Sequence, residues 1–281
     1  MQEYITIKQA LNHAINILNT QNANLDARIL LSYTLSCDQS YLISHQDATL
    51  SDKEKTTFLK FVDRRSKKEP IAYIINEKEF YGRTFYIDDR VLIPRPESEH
   101  LVEHAISILK KIENPHILDL CCGSGCIGIT LAAEIPDSKV CLADISEKAL
   151  EVAKINCKNL LKKKTEIICS DLFKNIPYNN FDLIISNPPY ISKQDMLMLD
   201  KDLIFEPEIA LYGGEEGIDY YKKIIFQAFY FLKKGGKIVL EIGWDQGKGV
   251  SELMHQKYEN IHIHKDYSGH DRVVSGISKS E

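Results

Sequence analysis

The side chains best suited to chemistry in this sequence stand together at Asn187-Pro188-Pro189-Tyr190. An amide or exocyclic amino nitrogen is a poor nucleophile, because its lone pair is delocalised into the group that carries it. To be alkylated it must be held in line with an electrophilic carbon, and its two hydrogens are the handles. The side-chain carbonyl of Asn187 can accept one and the backbone carbonyl of Pro188 the other. Both bonds strengthen as the nitrogen gains positive charge, which lowers the barrier. Pro188 and Pro189 restrict φ and hold these acceptors rigidly, and Tyr190 offers a flat face for a planar group. In isolation the same string also reads as a proline-rich turn with a buried asparagine, so context must decide.

That context begins upstream. Ile117-Leu118-Asp119-Leu120 leads into Cys121-Cys122-Gly123-Ser124-Gly125-Cys126-Ile127-Gly128. Gly123, Gly125 and Gly128 spell G-x-G-x-x-G between a strand and a helix, where glycine permits a tight turn and close backbone approach to a ligand. Asp144 ends the next strand, placed to accept hydrogen bonds from ribose hydroxyls. Glycine turns punctuate many α/β proteins, but strand, helix and acid in this order point to an adenosine-type ligand. The loop alone does not separate a nicotinamide dinucleotide from S-adenosylmethionine.

These residues need a sheet whose strand ends converge. Short apolar strands at 116–120, 139–143, 166–169, 181–186 and 237–242 alternate with helical stretches, implying βαβ units and a mainly parallel sheet covered on both faces. The tetrapeptide follows strand 181–186 at its carboxyl end, where open α/β sheets bind ligands. The strands at 261–265 and 272–277 differ. Their connection is too short for a crossover helix, so they must be antiparallel. That pair resembles the reversed last strand of the Rossmann-like, seven-stranded sheet of class I S-adenosylmethionine-dependent methyltransferases; a dinucleotide fold would continue with parallel units. With the tetrapeptide, it favours a methyl donor.

Ahead of the sheet the periodicity is helical. Ile7, Ala10, Leu11, Ala14, Ile15 and Leu18 share one helical face, and Ala27, Leu30, Leu31 and Thr34 suggest a second helix. Ser51 with Glu54 reads as a capping box that opens a third, with Phe58, Phe61 and Val62 inward. The charged run 64–69 reads as solvated surface, closed by Pro70. Ile74-Ile75 and the aromatic run 80–87 suggest a hairpin, and Pro96 suits the first turn of a helix. The expected organisation is a small helical domain at 1–70, a hairpin linker at 71–94 and a methyltransferase domain at 95–281.

Composition sets bounds. The net charge of −5 shows no global basic footprint of a duplex-binding protein. No basic-then-apolar leader opens the sequence and no apolar run has membrane-spanning length, so a cytoplasmic protein is expected. Seven cysteines without an export signal argue for reduced thiols, and Cys121, Cys122 and Cys126 lack zinc-site spacing. His100-Leu101-Val102-Glu103-His104 spells H-x-x-E-H but has no third ligand in an obvious place, so no metal is expected. Lys162-Lys163-Lys164 reads as the cationic end of a helix.

Beyond these readings, the sequence resembles the protein-(glutamine-N5) methyltransferases that act on peptide chain release factors. The resemblance covers nearly the whole chain. It rests on Glu69-Pro70-Ile71-Ala72-Tyr73-Ile74, Glu79-Phe80-Tyr81-Gly82, Val91-Leu92-Ile93-Pro94-Arg95-Pro96-Glu97-Ser98-Glu99, the tetrapeptide, and Glu206-Pro207-Glu208-Ile209-Ala210-Leu211 with Gly213-Gly214. The Ile-Pro-Arg-Pro-Glu segment discriminates most, because sister enzymes that methylate a ribosomal protein look different just after that Pro-Arg. The resemblance implies S-adenosylmethionine as donor and the glutamine of the Gly-Gly-Gln loop of class I release factors as acceptor. It implies that Cys121, Cys122, Gly123, Ser124, Gly125 and Asp144 hold the cofactor, that Leu172 lines the adenine pocket, and that Asn187 touches cofactor and substrate, with Pro188, Pro189 and Tyr190 completing the substrate site. The helical domain would help to dock the factor, with no direct nucleic-acid partner. Three departures stand out: the family usually has glycine at Cys121, so a positive φ there would strain the loop, a Thr or similar small residue at Cys122, and commonly an aromatic at Leu172. Rival readings are a ribosomal-protein glutamine methyltransferase, a DNA adenine-N6 methyltransferase that would flip its base, and a non-catalytic factor-binding module.

Overall fold

The computed structural model describes residues 5–199 and 203–279; residues 1–4, where a leader would begin, fall outside them. The chain divides into two units, Met1–Glu77 with Lys201–Phe205, and Lys78–Asp200 with Glu206–Glu281.

The first unit is helical: α1 (Ile7–Ile17), α2 (Ala23–Leu35), α3 (Gln39–Ser44), α4 (Asp52–Ser66) and α5 (Ile71–Ile75). Capping boxes at Thr6/Gln9 and Ser51/Glu54 open α1 and α4 by satisfying amides that have no intrahelical partner. Ala10, Ala14, Leu30, Leu31, Phe58 and Val62 form its core. Two expectations are corrected here. The charged run is not wholly solvated: Arg65 is buried, its Nε 2.8 Å from Asp26 Oδ2, and Arg64 pairs with Glu69. Ile74 and Ile75 belong to α5, not to the hairpin, because Pro70 opens a helical turn that buries Tyr73 and Ile74.

The second unit begins with the hairpin β1 (Glu77–Phe80) and β2 (Arg83–Tyr86). It continues as α6 (Ser98–Leu109), β3 (His116–Leu120), α7 (Cys126–Glu134), β4 (Lys139–Asp144), α8 (Glu147–Leu160), β5 (Glu166–Cys169), β6 (Phe181–Ser186), α9 (Lys193–Met196), α10 (Asp219–Phe231), β7 (Leu232–Glu241), α11 (Gly247–Met254), β8 (Tyr258–Lys265) and β9 (Asp271–Ser278). The sheet order is β5-β4-β3-β6-β7-β9-β8, with β9 antiparallel to both neighbours. The expected seven-stranded sheet with a reversed last strand is therefore present. Ile117, Leu118, Leu183, Ile184 and Ile185 are all buried, as consecutive residues must be where helices cover both faces. Lys162–164 lie beyond the end of α8 and do not close it; Lys163 Nζ instead donates to the carbonyls of Pro136 and Ser138. All seven cysteines are free thiols. Among the described residues no helix is long and apolar enough to cross a membrane.

Candidate active site

The carboxyl ends of β4, β3, β6 and β7 lie side by side, and the chemistry-bearing residues collect there. The loop after β3 turns through Cys121 (φ 59°), Gly123 (φ 53°) and Gly125 (φ 77°), the residue that precedes α7. Cys121 therefore does adopt the left-handed conformation, which costs a non-glycine residue about 1–2 kcal/mol. Gly128 has a different reason. A Cβ there would overlap the Leu142 side chain and stand 2.8 Å from Asp119 Oδ2, so only glycine lets α7 pack this closely on the sheet.

Acids anchor the loop. Asp144 Oδ2 accepts the Gly123 N–H at 2.8 Å and Oδ1 accepts the Ser146 N–H at 2.9 Å, which fixes the carboxylate in the wall of the site. Burial raises its pKa against these bonds. Asp119 Oδ2 accepts the Gly128 N–H at 2.8 Å, and its other oxygen is buried without a partner among the described residues. Burial pushes Asp119 up to about 7.

Asparagine 156 on α8 is a support that pattern reading missed. Fully buried, Asn156 donates from Nδ2 to the carbonyls of Ser124 and Tyr86, each at 3.0 Å, and accepts the Tyr86 N–H at 2.7 Å. It thereby ties the glycine loop to β2. Its only sequence signal is an amide within an apolar helical face.

A cavity opens on this loop. Cys121, Cys122, Gly123, Ser124, Asp144, Asn187 and Pro189 all line it, so the glycine loop, the acid and the tetrapeptide face one space. Arg90, Val91, Leu92, Pro94, Arg95, Ser98, Ile145 and Tyr220 complete much of the wall. Gly125 begins α7 behind the loop. Leu172 is buried in the hydrophobic core with φ 48° and is not among the lining residues. Pro188 is buried, and Tyr190 packs against the core, where burial pushes its hydroxyl up to about 12. The tetrapeptide backbone is clamped: Gln246 Nε2 donates to the Tyr190 carbonyl at 3.0 Å, and Gly213 lies so close that a Cβ would stand 2.6 Å from Tyr190 Cα.

The apolar mouth is held by charge. Arg95 pairs with Glu206, whose other oxygen accepts the Ile93 N–H at 3.0 Å. Two segments more than a hundred residues apart in sequence are thus joined at one wall, a pairing no spacing rule could reveal. The H-x-x-E-H histidines lie elsewhere: His104 packs on His264 and His100 on Tyr267.

Residues 98–216 match the family described as methyltransferase small domain, and residues 9–75 match the PrmC N-terminal domain. The release factor glutamine methyltransferase of Koribacter versatilis is 38% identical over 97% of this chain and 98% of its own. That of Leptospira interrogans is 40% identical over 90% of each chain. A solved methyltransferase from Pyrococcus furiosus, 19% identical, matches with a TM-score of 0.54 over 72% of this chain and 92% of its own, a likeness of fold.

Proposed function

The chain belongs to the release factor glutamine methyltransferase family, and from that premise we propose that it methylates the side-chain nitrogen, N5, of the glutamine in the Gly-Gly-Gln loop of class I peptide chain release factors. The observation that carries the proposal is the shared cavity: Asn187 and Pro189 line the same space as Cys121–Ser124 and Asp144.

The donor is S-adenosylmethionine, which supplies an electrophilic methyl group when bound. The residues present fit it. The Asp144 carboxylate is held by backbone amides of Gly123, Ser146 and Ile145 and has acceptor capacity left for a ribose hydroxyl. Cys121–Ser124 border the remainder, Ile145 and Tyr220 supply apolar contact for a base, and Leu172 belongs to the core against which Tyr220 packs.

Asn187 Oδ1 and the Pro188 carbonyl accept the two hydrogens of the substrate amide, holding its nitrogen in line and gaining strength as positive charge develops. Pro189 and the clamp from Gln246 and Gly213 keep those acceptors from yielding. Tyr190 stiffens the turn from the core side. The surplus proton leaves the alkylated amide without a strong base, because a protonated amide is a strong acid. The helical unit, residues 1–70 in the sequence reading, docks the release factor, and the 71–94 segment links it to the methyltransferase domain. The protein acts in translation termination in the cytoplasm, with no direct contact to nucleic acid.

The test uses labelled S-adenosylmethionine with a class I release factor, a large-subunit ribosomal protein or DNA. Label should appear on the release factor and vanish when its Gly-Gly-Gln glutamine is changed. Asn187→Ala should bind the cofactor yet transfer at least about 100-fold more slowly. Label on DNA alone would overturn the proposal.

A further inference from the structure

Glu241 is the last residue of β7, and its side chain is buried at 1% exposure. No step of the transfer described above uses it. The parallel register pairs Ser186 with Leu240, which sets Glu241 beside Asn187, one residue further along each strand. Its carboxylate interacts with the Ser98 hydroxyl and the Asn187 side-chain amide, and Asn187 Nδ2 also faces Ser98 Oγ at 3.4 Å. One oxygen, Oε2, is buried with no hydrogen-bond partner among the described residues. Arg272 on β9 and Glu97 before α6 are the other charged groups that face it, together with the phenols of Tyr190 and Tyr221. The Arg272 guanidinium is itself bonded to Asp266 through Nε and Nη2.

The arrangement matters because a primary amide has two unlike ends. Turned one way, Asn187 shows its oxygen to the cavity; turned by half a rotation, it shows its NH2. Only the first can accept a hydrogen from a substrate amide. The second sets donor against donor. A carboxylate has no N–H or O–H to offer when ionised, so beside Asn187 it accepts the NH2 end and repels the oxygen end. We propose that Glu241 is a positioning residue, whose carboxylate, with the Ser98 hydroxyl, keeps the NH2 of Asn187 turned into the protein and its Oδ1 turned toward the amide of the substrate.

The inference rests on the methyl-transfer reading, and its test separates the two. Wild type, Glu241→Gln, Glu241→Met and Ser98→Ala are compared as full-length chains. Cofactor affinity is measured by calorimetry, kcat and KM with the release factor, and the Asn187 NH2 resonances in a nitrogen-15 spectrum, assigned by their loss in Asn187→Ala. Cofactor affinity should stay within about twofold. Glu241→Met should lower kcat by about 10–100-fold, the scale of a misplaced acceptor, with KM little changed. Glu241→Gln, which keeps an acceptor oxygen, should restore most of that rate. In the cofactor-free wild type the Asn187 NH2 resonances should move with pH near 7, where burial places the Glu241 carboxyl, and in Glu241→Gln that movement should be gone. Wild-type kcat in Glu241→Met, cofactor affinity falling in step with kcat, or resonances indifferent to Glu241→Gln would each overturn the proposal. If Glu241→Met does not fold, the resonances of Glu241→Gln decide. If wild type methylates nothing, the methyl-transfer reading fails while the spectrum still reports on Asn187.

Discussion

Replacing Asp119 with asparagine should change how stability depends on pH. Asp119 is fully buried, with one oxygen on the Gly128 N–H at 2.8 Å and the other unpartnered. Burial is the dominant influence and moves the acid from 3.8 to about 7; Asp144 adds to the rise and the Gly128 bond opposes it. Between those values the unfolded chain has released a proton that the folded chain retains. The contribution is therefore complete below the unfolded value, fades as pH rises, and is gone above about 7. The displacement is equivalent to about 4 kcal/mol at most, and relaxation around the charge reduces it to about 2–4 kcal/mol. The asparagine keeps a carbonyl for Gly128 but introduces an NH2 where no acceptor is evident, a cost of about 1–3 kcal/mol that does not vary with pH. The difference between variant and wild type removes that constant. It also removes Glu241, which rises to about 7 in both proteins. Urea denaturation followed by circular dichroism at pH 5 to 8 should show the difference moving in favour of Asp119→Asn by about 1–3 kcal/mol, the share of the change that lies above pH 5. A difference constant to within about 0.5 kcal/mol would refute the assignment of a proton to folded Asp119.

Other perturbations follow from single contacts. Gly128→Ala drives a methyl into Leu142 and Asp119, so it should cost about 1–3 kcal/mol and weaken cofactor binding by shifting the start of α7, read by melting and calorimetry. Arg65→Leu strands the buried Asp26 carboxylate and should cost about 3–5 kcal/mol, much of it recovered when Asp26→Leu is added, in a double-mutant cycle by denaturation. His104 is lowered to about 4 by burial, with His264, Lys237 and His262 adding to the effect. Its contribution is present at neutral pH and lost as pH falls from about 6.5 to about 4, so the melting temperature of His104→Leu should gain on that of wild type between pH 7 and pH 5.

Where the sequence could be read, one residue type at one spacing had one physical meaning. Glycines between strand and helix, the capping box at Ser51 and Glu54, and a connection too short for a crossover all satisfy that condition. The strand limits at 116–120, 166–169 and 181–186 did so as well, because continuous apolar runs end where polarity begins. Ile74-Ile75 was misread since β-branched residues tolerate a single helical turn once Pro70 has opened it. The charged run was misread because charge predicts exposure only when no partner is near, and Asp26 is 39 residues from Arg65. The contacts of Asn156, Glu206 and Glu241 were unreadable for the same reason: each acts on a residue that only the fold brings close.

Asp119, Asp144 and Glu241 stand at or one residue from the carboxyl ends of β3, β4 and β7, and burial raises all three. Their neighbours Leu120, Ala143 and Leu240 are buried and apolar, so the sheet had apolar solutions available at this level. A core selected for stability alone would use them, since a buried acid with an unpartnered oxygen costs free energy. Each acid instead meets a group that borders or supports the cavity: Gly128 for Asp119, Gly123 and Ser146 for Asp144, Asn187 and Ser98 for Glu241. As acceptors they serve the site best when ionised, and the fold resists that ionisation. Stability and transfer must then respond to pH in opposite directions through neutrality. Raising pH charges Glu241 and holds Asn187 more firmly, while the same rise removes the stability that its proton conferred. Measured together on wild type, kcat should climb from pH 6 to pH 8 as the unfolding free energy falls, and Glu241→Gln should weaken both slopes. If only the stability slope changed in that variant, Glu241 would be a buried acid of the core and nothing more.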